Sequence, residues 1–156
     1  MTDSIQSRLE QEGITLPQVA PPAANYLPFM RSGNLVFTAG QLPLVDGKLA
    51  LTGKLGADVD TVGGQVAARL CAVNLLAIAQ AAAGSLEKVG RVVKLTVFVA
   101  SAPGFTEQHL VANGASNLIV AILGEKGKHA RSAVGTAALP LDAPVEVEAV
   151  FEIESA

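Results

Sequence analysis

Tryptophan is absent from this sequence, which has a single cysteine, a single tyrosine and two histidines. Each scarcity closes off a class of function. The lone thiol, Cys71, cannot form an internal disulfide, and its place inside an apolar helical run reads as a buried structural residue in a reducing compartment. His109 and His129 have no cysteine nearby and no spacing that suits a metal, so zinc and iron sites are not expected, and His129 reads as a loop residue. Lysine and arginine total 11, scattered without a basic run in a chain of net charge −3, which disfavours nucleic acid as a partner. Neither Gly33 nor the Gly63-Gly64 pair comes with the lysine and hydroxyl of a phosphate loop, so no nucleotide cofactor is implied. With the G-x-S-x-G elbow missing as well, nothing supports a serine hydrolase. The opening MTDSIQSRLEQEG has neither the cationic start nor the apolar middle of a secretory signal, which points to the cytoplasm.

Small apolar side chains are what the sequence has in quantity. Hydrophobic residues make up 50% of the 156, enough for one domain over 1–156 with a sizeable core. Residues 1–25 read as a peripheral helix, Ser4 to Glu12 stopped by Gly13, and an extended arm, since Leu16 to Pro28 holds Pro17, Pro21, Pro22 and Pro28. Phe29 to Ser32 and Leu35 to Ala39 are strand candidates around a Gly33-Asn34 turn, and Leu42 to Asp60 reads as a turn at Asp46-Gly47 followed by a surface loop. Val62 to Ala83 is the longest helix candidate, capped by Asp60 or Thr61 and stopped by Gly84. Arg69, Asn74 and Gln80 interrupt it and alanine fills much of it, so it is expected to pack on a sheet rather than cross a membrane. Val92 to Val99 should be a central strand with Val93, Leu95, Val97 and Val99 on one face. Thr106 to Leu123 should be a second helix, with Leu110, Asn117, Leu118, Ala121 and Ile122 near a helical period.

The stretch from Ala130 to Glu154 carries the candidate chemistry. Val145, Val147, Ala149, Phe151 and Ile153 alternate with Glu146, Glu148, Val150, Glu152 and Glu154, the pattern of a half-buried strand. Before it, a small-residue strand opens with Arg131, and Pro140 and Pro144 shape the connection. The order strand, strand, helix, strand, helix, strand, strand is an α+β plan, a mixed sheet with two helices packed on one face. Its other face would be apolar and uncovered in a monomer, which predicts an oligomer. Arg131 and the glutamate row admit two readings: a solvated charged surface with a weak ion pair, or a partly dry cleft beside Ala130, Ala133 and Val134 where the guanidinium grips a carboxylate bidentately. A simple hairpin through residues 140–144 would leave Arg131 and Glu146 roughly 20 Å apart, so they could meet only through another strand order or across a subunit boundary.

From about Tyr26 to Ile153 the chain resembles the Rid/YjgF family, formerly called endoribonuclease L-PSP. The resemblance is carried by GNLVFTAGQLP at 33–43, the alanine-rich helix ending near Gly84, RVVKLTVFV at 91–99 and, most specifically, HARSAVGTAALPLDAPVEVEAV at 129–150. It implies a chorismate-mutase-like fold, assembled as a homotrimer with an inner β-barrel and clefts between subunits. It also implies cofactor-free hydrolysis of reactive 2-enamine or 2-imine acids to 2-keto acids and ammonia. By the same resemblance Arg131 holds the substrate carboxylate, Glu146 positions the attacking water, Tyr26 closes the cleft, and Gly40 and Ala133 lie beside the substrate. Ala133 and Ala39 stand where the best-known deaminases often have cysteine and serine, and the N-terminal extension and the 124–128 loop are further departures. Two other functions remain open: a non-catalytic binder of small carboxylates or keto acids, and an RNA-cleaving or translation-inhibiting protein, against which the acidic net charge counts.

Overall fold

The first two helices begin and end where the sequence places caps and glycines, whereas the third starts at Gln108, two residues later than expected and without a side-chain cap. The computed structural model describes residues 3–19 and 24–155, so Pro21 and Pro22 of the expected arm lie outside the described residues. Ser4 caps α1 (Ile5–Gln11) by accepting from the Ser7 amide, and Gly13 follows with φ +69°. Asp60 accepts from the Gly63 amide at the start of α2 (Thr61–Ala83), and Gly84, at φ 86°, ends it. The third helix, α3, spans Gln108–Leu123. Helix α1 is less peripheral than its polar sequence implies: Leu9 is buried in the core, and Arg8 donates to the Ile122 carbonyl at 3.1 Å, fixing α1 to the end of α3.

The strands in chain order are β1 (Phe29–Ser32), β2 (Leu35–Thr38), β3 (Leu44–Val45), β4 (Lys48–Leu49), β5 (Val89–Ala100), β6 (Ala130–Thr136) and β7 (Val145–Ile153). Five of them form one sheet in the order β1-β2-β7-β5-β6, with β5 and β6 parallel and the other neighbours antiparallel. The alternation of β7 is borne out along its whole length, odd-numbered residues buried and even-numbered ones half-buried. Helices α2 and α3 cover the odd face, as expected of the α+β plan. On the other face Met30 pairs with Phe37 and Phe37 with Val150, and Met30, Phe37 and Val134 are exposed. The uncovered face is therefore present in the single chain, apolar at Met30, Phe37 and Val134 and acidic along β7 at Glu146, Glu148 and Glu152.

Three local expectations need correction. Residues 42–60 are more than a surface loop: β3 and β4 make a small hairpin over Asp46-Gly47, and Leu55 is fully buried, donating to the Ala100 carbonyl at 2.8 Å. In β5, register shifts between Val89 and Arg91 and between Val92 and Lys94 turn Val92 into the core and leave Val93 exposed, so Val93 does not share the face of Leu95, Val97 and Val99. In α3 the buried stripe is Val111, Ala112, Ala115, Leu118, Ile119 and Ile122, while Asn117 and Ala121 face outward.

Helix α2 is, among the described residues, the one helix long and apolar enough to cross a membrane. Much of it is instead buried against β7 and α3. The two helices cross so closely at Gly114 that an added Cβ would overlap the Gln65 carbonyl on α2. Gly114→Ala is expected to destabilise the fold by roughly 1 to 3 kcal/mol, because backbone rather than a flexible side chain must yield, despite alanine's better helix propensity. Urea unfolding of the variant against the parent checks this.

Candidate functional site

Strand β5 lies between β6 and β7, so the last two strands do not form a hairpin, and the register fixes where the candidate residues fall. Arg131 lies opposite Leu95, which faces the helices, whereas Glu146 lies opposite Phe98, on the uncovered face. Two strand spacings and three residues of rise put their Cα atoms roughly 14 Å apart, on opposite sides of the sheet. No ion pair joins Arg131 to a glutamate among the described residues. The ion pair of the charged-surface reading is therefore not formed within one chain, and the two candidate residues stand in separate places, each a candidate half-site.

The Arg131 half-site is polar where the sequence reading expected small apolar neighbours. One terminal nitrogen, Nη1, donates to Asn113 Oδ1 at 2.9 Å and to Ser116 Oγ at 3.1 Å, and Nη2 donates to the His109 carbonyl at 3.1 Å, all on α3. Three of the five guanidinium N–H groups are thus engaged, leaving one on Nε and one on Nη2 without a protein partner among the described residues. Ala133, two residues on and on the same face, packs against the core and supplies no thiol. His129 sits behind the group, its Nδ1 2.6 Å from the Gly127 carbonyl and its Nε2 2.9 Å from Ser116 Oγ. Burial holds its pKa below the usual imidazole value, the Arg131 charge acting in the same direction against the opposing Gly127 carbonyl. Sequence reasoning missed Asn113, Ser116 and His129 as the surroundings of Arg131. The available signal was the i, i+3 spacing of two polar residues on a helix otherwise rich in apolar ones.

The Glu146 half-site forms where β2 leaves β7. Thr38 Oγ1 accepts the Ala149 amide at 3.0 Å, and the chain rejoins β7 at Gln41, whose amide donates to the Val147 carbonyl at 2.8 Å. Between them Gly40 passes so close to Glu146 that a Cβ there would overlap the carboxylate and push that side chain aside. Gly40 and Glu146 are thus brought together. Glu146 makes no hydrogen bond or ion pair among the described residues, and burial, then the neighbouring Glu148 charge, raise its pKa. Tyr26, 59% exposed ahead of β1, has no hydrogen bond among the described residues.

A folded pKa above the unfolded one means that ionising Glu146 works against the fold: its favourable contribution is complete below the ordinary carboxylate pKa and is lost as pH rises through the raised one. Glu146→Gln is therefore expected to melt higher than the parent at pH 7, with the gain disappearing at pH below about 4. Thermal melts at both pH values test it.

These elements and their order match known proteins over nearly the full chain. The sequence model of the family described as "YjgF/chorismate mutase-like, putative endoribonuclease" matches residues 6–153. The chain belongs to this family. Its Rid/YjgF relatives include Protein TCP17 of Trypanosoma cruzi, 49% identical over 152 residues, which are 97% of this chain and 95% of the relative. Among solved structures, Atu1372 of Agrobacterium tumefaciens, a protein of unknown function, is 55% identical with a TM-score of 0.91, covering 98% of this chain and 94% of that one. TdcF of E. coli, solved with bound serine, is 29% identical with a TM-score of 0.62, covering 89% of this chain and 96% of the other. The Rid/YjgF resemblance and the α+β fold read from the sequence are both borne out.

Proposed function

We propose that the protein hydrolyses reactive 2-enamine or 2-imine acids to 2-keto acids and ammonia, in clefts between the subunits of a homotrimer and without a cofactor. The observation that carries this reading is the Arg131 fork, clamped on α3 through three donors with two N–H groups left over. That arrangement suits a small carboxylate, and the related TdcF holds serine, which has one. With the carboxylate gripped, the guanidinium draws electron density from the adjacent C=N carbon. Glu146, its basicity raised by burial, orients a water and takes its proton as oxygen adds to that carbon. That proton passes to nitrogen to give a carbinolamine; the hydroxyl proton then follows to nitrogen through Glu146, so the C–N bond breaks, ammonia leaves and the ketone C=O forms, while an enamine first takes a proton at its β carbon to become the imine. Because Arg131 and Glu146 lie on opposite faces of one sheet, a second copy supplies the missing half, and Tyr26, largely exposed, is available to close over it. The apolar row of Met30, Phe37 and Val150 is the surface through which the copies meet.

The test is to generate an imine in place from an amino acid with an oxidase and follow its loss with and without the protein. Acceleration with keto-acid release supports hydrolysis. Ala133, where a thiol is common in the best-known deaminases, favours a second reading: a binder of keto acids that uses the same grip without turnover. Keto-acid binding that depends on Arg131 without any acceleration would establish that second reading. An RNA-cleaving role has less support, because 11 basic residues scattered in a chain of net charge −3 make no groove for a phosphate backbone.

A further inference from the structure

We propose that His129 is a positioning residue for Arg131, acting through the Ser116 hydroxyl to fix the direction in which the guanidinium presents its free N–H groups. The proposal rests on the reading of Arg131 as the carboxylate grip. Its direction follows from hydrogen-bond chemistry. The Gly127 carbonyl can only accept, so the His129 nitrogen 2.6 Å away, Nδ1, carries the proton. In the neutral ring Nε2 then has a lone pair, and it lies 2.9 Å from Ser116 Oγ. Ser116 must donate its one proton to that lone pair, which turns its own lone pairs toward Arg131 Nη1 at 3.1 Å. A serine hydroxyl left to itself rotates, and on a helix it also competes for nearby backbone carbonyls. Here the imidazole removes that freedom. The ring stays neutral because burial, aided by the Arg131 charge, holds its pKa down.

Both ends of the relay are anchored to the same helix. Gly127 is pressed so hard on α3 that a Cβ would meet the Ile119 carbonyl, and Asn113 and Ser116 are one helical step apart on it. The Gly127 carbonyl that sets the tautomer therefore cannot drift relative to the residues that receive the guanidinium. Asn113 and the His109 carbonyl hold Nη1 and Nη2 at one point each and leave the group able to tilt about the line between those contacts. The hydroxyl engages the second Nη1 N–H and supplies the third point, so the plane of the fork is defined.

The test uses the full chain, with pyruvate as the carboxylate probe and nitrogen-15 labelled histidine. At pH 7 the His129 resonances should report a neutral ring protonated on Nδ1, with the Nε2 resonance moving in Ser116→Ala. Pyruvate affinity should fall about 5- to 20-fold in Ser116→Ala and in His129→Phe, with the double variant no worse than the weaker single, since both cut one chain of contacts. Ser116→Thr, which keeps the hydroxyl, should stay within about twofold of the parent. Melting temperatures accompany each variant, and Ser116→Ala, a half-buried change, keeps the test valid if His129→Phe folds poorly. A ring protonated on Nε2, additive losses in the double variant, or unchanged affinity in both singles while Arg131→Ala loses binding would each overturn the positioning role alone. Binding that survives Arg131→Ala would overturn the reading of the grip, and the positioning role with it.

Discussion

Replacing Arg131 by alanine is expected to lower the efficiency of imine hydrolysis about 30- to 1,000-fold, the loss of roughly 2 to 4 kcal/mol that a charge-assisted bidentate contact represents. Arg131→Lys should be nearly as damaging. The arginine uses three N–H groups on Asn113, Ser116 and the His109 carbonyl and still has two for a ligand, whereas an ammonium has three donors in all and no fork. The fold should survive, because the α3 groups left behind are only partly buried and can take water. Glu146→Gln should behave differently, reducing turnover far more than binding, since an amide still holds water but cannot accept its proton. Steady-state kinetics with an imine made in place, beside melting curves, separates the cases. Unchanged efficiency in Arg131→Ala would place the site elsewhere.

The second large effect is expected from Phe37→Glu. Sedimentation equilibrium of the parent at micromolar concentration should give three times the chain mass of 15.9 kDa, and the variant should sediment as one chain. Phe37 stands between Met30 and Val150 on the uncovered face, so a carboxylate there would be buried unpaired at every copy of the contact, a cost of several kcal/mol. Secondary structure should be retained, because that face is not part of the core, yet activity should vanish with the assembly. A complementation experiment follows from the two half-sites. Inactive Arg131→Ala and Glu146→Gln chains, unfolded and refolded together in equal amounts, should recover about a quarter of the parental sites, those built from the intact half of each. Mixing without recovery, or a parent that sediments as a single chain, would sink the shared-cleft arrangement.

Much of the fold was legible because its periodicities are local. The alternation of β7 survives intact, and α2 runs between the cap and the glycine that the sequence marks. Strand order was not legible. The neighbours of β7 come from residues 35–38 and 89–100, and nothing in an alternating pattern says which distant strand it pairs with. Val93 was misplaced because a bulge shifts parity by one residue without changing composition. The site fared similarly: Arg131 stands out among small neighbours, but the face it occupies depends on its register with Leu95, and its partners Asn113 and Ser116 precede it by 18 and 15 residues, on another element. The spacing of His129 excludes a metal but carries no sign of the Gly127 carbonyl and Ser116 hydroxyl that its ring nitrogens meet.

The position of β7 has a consequence for synthesis. It is the last strand in chain order and lies in the middle of the sheet, so the β1–β2 pair and the β5–α3–β6 unit share no strand contact until it arrives. A nascent chain can close its local hairpin and its helices on the ribosome, but the apolar side of α2 has no complete sheet to rest on before Val145 to Ile153 emerge. Acquisition of the native core is thus deferred to one late, non-local step, in which two open edges wait for a single strand. Crowded polysomes hold many such chains side by side, and a β7 delivered to a neighbour's gap would make the same hydrogen bonds as one delivered to its own.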